Sequence, residues 1–150
     1  MHFQIRAACA ALAAAAMVIL AVLAAPTTAQ AASTCPPKSL CLFEKPNFQG
    51  GMFVVGHDDQ FGSPCDRYLV DNKFDNGNAV DEHVSSIKNN DSNRIVTAYM
   101  GTRWPTANTS PYFYVTNKQS YADLSWIRTW YGPGGAWTMR NMDNAISAIC

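Results

Sequence analysis

The sequence predicts an all-β protein: two Greek-key motifs packed as a sandwich and stabilised by disulfides. Three observations carry that expectation. Apolar stretches after residue 31 are short, broken by turn residues, and show no convincing helical period. Leu40 to Val55 reads as a β-hairpin around Lys45-Pro46-Asn47, with Phe43 and Phe48 five apart and Gly50-Gly51 following. A related pattern then recurs. Phe43 precedes an acidic pair at Asp81 by 38 positions, and Tyr99 precedes Asp143 by 44. Each pair leads through two residues to a Ser and a short apolar strand: Asp81-Glu82-His83-Val84-Ser85-Ser86-Ile87 against Asp143-Asn144-Ala145-Ile146-Ser147-Ala148-Ile149. Each unit alone would leave one apolar sheet face in water, so two are the fewest that close a core.

In chain order, residues 1–31 read as a secretory signal peptide. One Arg in Met1–Arg6 precedes an Ala-rich apolar run, Pro26 breaks it, and Ala29-Gln30-Ala31 offers a cleavage site. A retained anchor is the alternative. Residues 32–150 form the expected domain, the first Greek key at about 39–90 and the second at about 93–150. Phe43 is placed to fold over the hairpin, and Gly50 and Gly51 lie where the second strand bends and a side chain would obstruct. Gly56 to Asn78 is rich in turn residues, with Tyr68-Leu69-Val70 as one short strand within it. Asp81 to Asn89 is an acidic loop running into a strand, and Asn90–Asn93 a polar turn. Arg94–Tyr99, Pro111–Val115 and Ser125–Tyr131 are further strands, the last with Trp126 and Trp130 on one parity; Gly132–Gly135 is a turn.

The eleven Lys and Arg equal the eleven Asp and Glu, and loss of Arg6 leaves ten cations against eleven acids. Near-neutral charge argues against nucleic acid or an anionic membrane as partner, and no later segment is apolar for long enough to span a bilayer. A secreted monomer is expected. Cys9 leaves with the signal, so Cys35, Cys41, Cys65 and Cys150 remain for two disulfides. Three connectivities are open. A local Cys35–Cys41 clip with Cys65–Cys150 tying the chain end to the first half is favoured. Zinc is disfavoured because there is no C-x-x-C pair and the His residues are scattered.

The chain resembles a βγ-crystallin domain. That family's signature is an aromatic, four residues, an aromatic, one residue and Gly, which Phe43, Phe48 and Gly50 satisfy. Its second signature, two Asn or Asp, any two, Ser or Thr, then Ser, is met by Asp81, Ser85 and Ser86 with Glu82 as a departure. Asp143, Asn144 and Ser147 meet it with Ala148 as a departure. In the second unit Tyr99 and Trp104 match, but Thr106 stands in place of Gly. The opening Cys35-Pro36-Pro37-Lys38-Ser39-Leu40-Cys41 is similar to exported proteins grouped with the Streptomyces metalloproteinase inhibitor. This resemblance implies a crystallin fold, two disulfides and an inhibitory loop in the second half. The known inhibitor tethers that loop by a cysteine that is missing here, so no reactive-site residue carries over.

The acidic loops suggest calcium, with Asp81, Glu82, Ser85, Asp143, Asn144 and Ser147 as candidate ligands. A hard cation takes six to eight oxygens, and carboxylate, hydroxyl and carbonyl could converge there. The alternative is that these side chains only turn the backbone. Catalysis is not expected: His57-Asp58 and Glu82-His83 are polar-loop residues, and no nucleophile motif occurs. The aromatics Tyr112, Tyr114, Tyr121, Trp126, Trp130, Tyr131 and Trp137 are expected mainly in the core, with a sugar or protein contact surface as the alternative. The functional expectation is an inhibitor presenting a rigid loop to an extracellular protease. The candidate contact is Thr102–Pro111, with Arg103, Trp104, Thr106, Ala107 and Asn108 inside it and Pro105 and Pro111 restricting the backbone. A calcium-stabilised structural or stress module and a secreted toxin or antimicrobial factor are the alternatives.

Overall fold

Strand β1 (Leu40–Lys45) has four consecutive fully buried residues, Leu40 to Phe43, so both of its faces are covered. It pairs antiparallel with β2 (Gln49–Val55) on one side and β5 (Ser86–Asn89) on the other. The computed structural model describes residues 34–58, 63–64, 66–101, 110–132 and 135–150. Between β1 and β2 the chain makes a 3-10 turn, Pro46–Phe48, with Asn47 and Phe48 at positive φ. The Phe43 and Phe48 rings then meet edge to face, 5.5 Å between centroids. This is the aromatic corner the spacing predicts. Ser86 fixes it from the next strand: its Oγ donates to Lys45 O at 2.7 Å and accepts from Phe48 N at 3.1 Å.

The second sheet is built around β6 (Val96–Met100) and β7 (Tyr112–Val115), with β9 (Ile127–Trp130) and β10 (Trp137–Arg140) extending one edge and β11 (Ile146–Ile149) the other. The strand order is β10-β9-β7-β6-β11, all antiparallel. A two-residue ladder of β3 (His57–Asp58) and β4 (Ser63–Pro64) stands apart. The halves exchange chain. β8 (Ser120–Tyr121), from the second half, joins the first sheet beside β5, giving the order β2-β1-β5-β8. In return Asp66, from the first half, forms an isolated antiparallel bridge to Ile149 of β11, through bonds of 2.6 and 2.7 Å. This is a Greek-key pair packed as a sandwich, as expected.

One apolar cluster fills the space between the sheets. It takes Leu40, Leu42, Val55 and Ile87 from the first sheet and Val96, Ala98, Phe113, Val115, Ile127, Ile146 and Ile149 from the second. Loop residues Leu69, Phe74, Val80, Val84, Leu124 and Met142 close its ends. A smaller cluster covers the outer side of the first sheet: Cys35, Cys41 and Phe43, with Phe48 and Met52 against them. Cys35 and Cys41 form the expected local disulfide, Cα atoms 5.8 Å apart. Cys150 is also disulfide-bonded; Cys65 lies outside the described residues. Buried Asn89 joins the halves, its Nδ2 donating to Arg94 O, Val115 O and Thr116 O.

Three local expectations need correction or addition. Tyr68-Leu69-Val70 is not a strand: Leu69–Asp71 is a 3-10 turn closed by Asn72 N to Leu69 O. Leu69 alone of the three faces the core, while Tyr68 and Val70 are exposed. β8 and β10 had no sequence signal, since β8 is two residues long and β10 has no alternation of burial. Most of the aromatic run does not fill the core either, as described below.

Gly50 and Gly51 do what the hairpin requires. Gly50 has φ +74, and a Cβ on Gly51 would stand 2.6 Å from Phe74 Cβ, so the 73–79 hairpin could not approach β2. Glu44 fastens that contact, accepting from Gly51 N at 3.1 Å, Asn76 Nδ2 at 2.7 Å and Asn78 Nδ2 at 2.6 Å. The bond from Gly51 is the main cause holding its carboxyl below the ordinary 4.5; partial burial opposes it, and Asn78, Asn76 and Lys45 add to it. A lowered folded pKa means a stability contribution fully present above the ordinary value and lost as pH falls below it and through the folded value. The melting temperature should therefore fall over that acid window, and Glu44→Gln should lower it at neutral pH while flattening the acid slope. An unchanged slope in Glu44→Gln would place the acid sensitivity elsewhere.

Candidate functional site

The two acidic loops lie side by side at the ends of β5 and β11. Glu82 N donates to Ile146 O and Asn144 N donates to Val84 O, both at 3.1 Å, so each loop grips the other by an equivalent bond. Glu82 and Asn144, the second residues of the two motifs, both take positive φ, +56° and +54°. The sequence repeat is thus a structural repeat about an approximate two-fold axis. It arises because each loop must turn from the outside of its half into a largely buried strand.

The six candidate ligands divide by environment. Glu82 and Asn144 are exposed, whereas Ser85 and Ser147 are buried and Asp81 and Asp143 half-buried. Ser85 Oγ faces Asn144 Oδ1 at 3.5 Å, a long contact that crosses between the loops. Asp81 Oδ1, Asp143 Oδ1 and Ser147 Oγ are each buried without a hydrogen-bond partner. Ser147 is only 2% exposed. Unpartnered buried oxygens are uncommon because each forfeits its bonds to water. An all-oxygen set of carboxylates and a hydroxyl is the chemistry a hard cation takes, so these residues fit calcium. Among the described residues no three His, Cys, Asp or Glu gather in one place, so acids alone do not make such a site. His83 is held locally, its Nδ1 2.6 Å from Asp81 O.

The last Ser of the first motif has a role the sequence did not disclose. Ser86 holds the aromatic corner rather than a ligand, and Ala148 occupies the matching place in the second half. The second corner's Trp104 and Thr106 lie outside the described residues, as do Arg103, Ala107 and Asn108 of the proposed inhibitory loop. That connection leaves β6 through Gly101, at φ +100, and re-enters at Ser110 before β7.

The aromatics expected in the core divide by strand parity. Tyr121 packs on the core, its ring edge-on to Phe113 at 5.4 Å. On β7 Phe113 and Val115 point inward, which turns Tyr112 and Tyr114 outward. On β9 Ile127 and Thr129 are buried, so Arg128 and Trp130 lie on the outer face. Trp126, Tyr131 and Trp137 are exposed. Parity was legible in the sequence; which parity faced the core was not. Among the described residues no helix is long and apolar enough to cross a membrane.

Comparison with known proteins agrees with this architecture. A solved structure described as "Evolution of the eye lens beta-gamma-crystallin domain fold" superposes with a TM-score of 0.52 at 19% identity, covering 78% of this chain and 88% of that one. At that identity the likeness concerns the fold. No curated protein matches the sequence. The sequence pattern of peptidase inhibitor family I36, the Streptomyces metalloproteinase inhibitor family, matches residues 28–110, more than half the chain. That span holds the Cys35–Cys41 clip, the aromatic corner and the first acidic loop, and on these grounds the chain belongs to peptidase inhibitor family I36.

Proposed function

We propose that this protein is an exported inhibitor that blocks an extracellular metalloprotease by presenting a rigid loop, with no chemistry of its own. The family match over residues 28–110 carries the reading. The scaffold supports it: a loop whose two ends are fixed in a double-sheet core loses less entropy when it docks. The β6–β7 connection, with Arg103, Trp104, Thr106, Ala107 and Asn108, is the loop assigned to the contact. It joins two central strands of the second sheet, so its ends are fixed. The test is inhibition of thermolysin, with subtilisin as the serine-protease comparison, by the purified exported protein. Thermolysin should be inhibited. Ala107→Gly, Asn108→Gly and Thr109→Gly together should weaken inhibition about tenfold or more at an unchanged melting temperature. Unchanged inhibition by the triple variant would move the contact off this loop, and no inhibition by the parent would remove the reading.

A second reading concerns calcium as a structural ion, supported by the unpartnered Asp81 Oδ1, Asp143 Oδ1 and Ser147 Oγ. Asp81, Ser85, Asp143 and Ser147 would hold it, with Glu82 and Asn144 at the two turns. The bound ion would neutralise carboxylates between the loops and tie the halves together. It binds the folded form only, so at a hundred times its dissociation constant it stabilises by about 2.7 kcal/mol. Millimolar calcium should accordingly raise the melting temperature relative to chelator, and Asp81→Ala or Ser147→Ala should blunt the rise. Equal melting in calcium and chelator would leave these residues as turn formers.

A further inference from the structure

The outer faces of the two sheets differ. The first is covered by its own chain, through Cys35, Cys41, Phe43 and Phe48. The second carries a continuous row of aromatic residues. Tyr99 pairs with Tyr112, Tyr112 with Trp130 and Trp130 with Trp137, so one residue from each of four adjacent strands falls in a straight line. At about 4.8 Å per strand the row spans about 14 Å. Tyr114 flanks it, 5.6 Å from Tyr112 and 5.5 Å from Trp130, and Arg128 lies 4.3 Å over the Trp137 ring. Trp130 also packs on the core cluster, which anchors the row. Trp137 and Tyr114 remain 55% and 41% exposed. Trp130 and Trp137 lie beyond the residues matched by the family, so this face is not a feature carried over from it.

We propose that this row is a second contact surface for the inhibited protease, lateral to the loop, and that it meets an apolar patch rimmed by acidic side chains. The proposal rests on the inhibitor reading. Three observations select a protein of that charge. The rings pack on one another, Tyr112 and Trp130 near-parallel at 24° and the other pairs at 42°, 79° and 55°, so ring faces are taken up within the group. A sugar stacks on open faces, whereas Tyr, Trp and Arg in a packed group are the composition of protein hot spots. The near-zero net charge also hides a division. Residues 32–93 hold nine acids and five Lys or Arg, and residues 94–150 hold two acids and five. Between Leu124 and Met142 there are Arg128 and Arg140 and no acid, so an acidic partner is favoured and a symmetric second copy of the same basic face is not. Finally, the row begins on β6 and β7, the two strands that carry the assigned loop, so one partner can cover both.

The test uses thermolysin with the exported protein and follows binding and melting together. Trp137→Ala and Tyr114→Ala, both at exposed positions, should each weaken binding about tenfold or more with the melting temperature kept. Arg128→Glu should slow association at low salt, the difference shrinking at high salt. Tyr68→Ala, an exposed aromatic of the first half, should leave binding unchanged. Parent-like binding by Trp137→Ala and Tyr114→Ala, while the parent inhibits, would overturn this surface and leave the inhibitor reading standing. An equal loss in Tyr68→Ala would also overturn it. Absence of any inhibition by the parent is the separate failure that removes the inhibitor reading, and this surface with it. Should either aromatic variant melt early, Trp137→Phe and Arg128→Ala take their place with the same expected order.

Discussion

The burial of two sheet faces against each other is the interaction on which everything else depends. Leu40, Leu42 and Ile87 have no exposure, and the cluster they belong to takes Phe113, Val115, Ile146 and Ile149 from the other half. Neither half closes a core alone. Chain exchange locks the arrangement, with β8 completing the first sheet and Asp66 bridging to the second. Backbone hydrogen bonds therefore run between halves as well as within them. The paired acidic loops are a consequence, because the same approximate two-fold brings Glu82 and Asn144 to equivalent turns.

That frame separates what must be rigid from what can be used. On the first sheet, the disulfide clip, the aromatic corner and the Glu44 network cover the outer face with the protein's own chain. On the second sheet the corresponding face is open, and the aromatic row stands on strands whose inner sides are locked in the core. A surface held in this way suits a protein that acts by being bound. The oxygens of Asp81, Asp143 and Ser147 are buried polar groups that the fold leaves without a hydrogen-bond partner. They sit at the seam between the halves.

Much of the fold was legible because it is written in local rules. The hairpin, its two glycines, the five-residue aromatic spacing and the repeated acidic loops each have a short-range physical cause, and each signature stands where that cause operates. What was not legible depends on long-range pairing. β8 is a strand only because β5 offers it an edge, and Leu69 lies in a 3-10 turn because one apolar side chain there must reach the core while its neighbours stay outside. The aromatic run misled for the same reason. Alternation on β7 and β9 was visible, but only the register across the sheet shows that Phe113 and Thr129 take the inside and Tyr112 and Trp130 the outside. The acidic loops were found as motifs, whereas the role of Ser86 in holding the corner needed its partners, Lys45 and Phe48, to be seen.

The central claim is that the two halves are one thermodynamic unit built on a shared core. Scanning calorimetry of the exported protein, alone and with Leu42→Ala or Phe113→Ala, tests it most directly. The account predicts a single transition whose calorimetric and van't Hoff enthalpies agree. It also predicts that each substitution, one from either sheet, lowers the stability of that whole transition by about 2–5 kcal/mol. Two separate transitions, with Leu42→Ala moving only one and Phe113→Ala only the other, would contradict it.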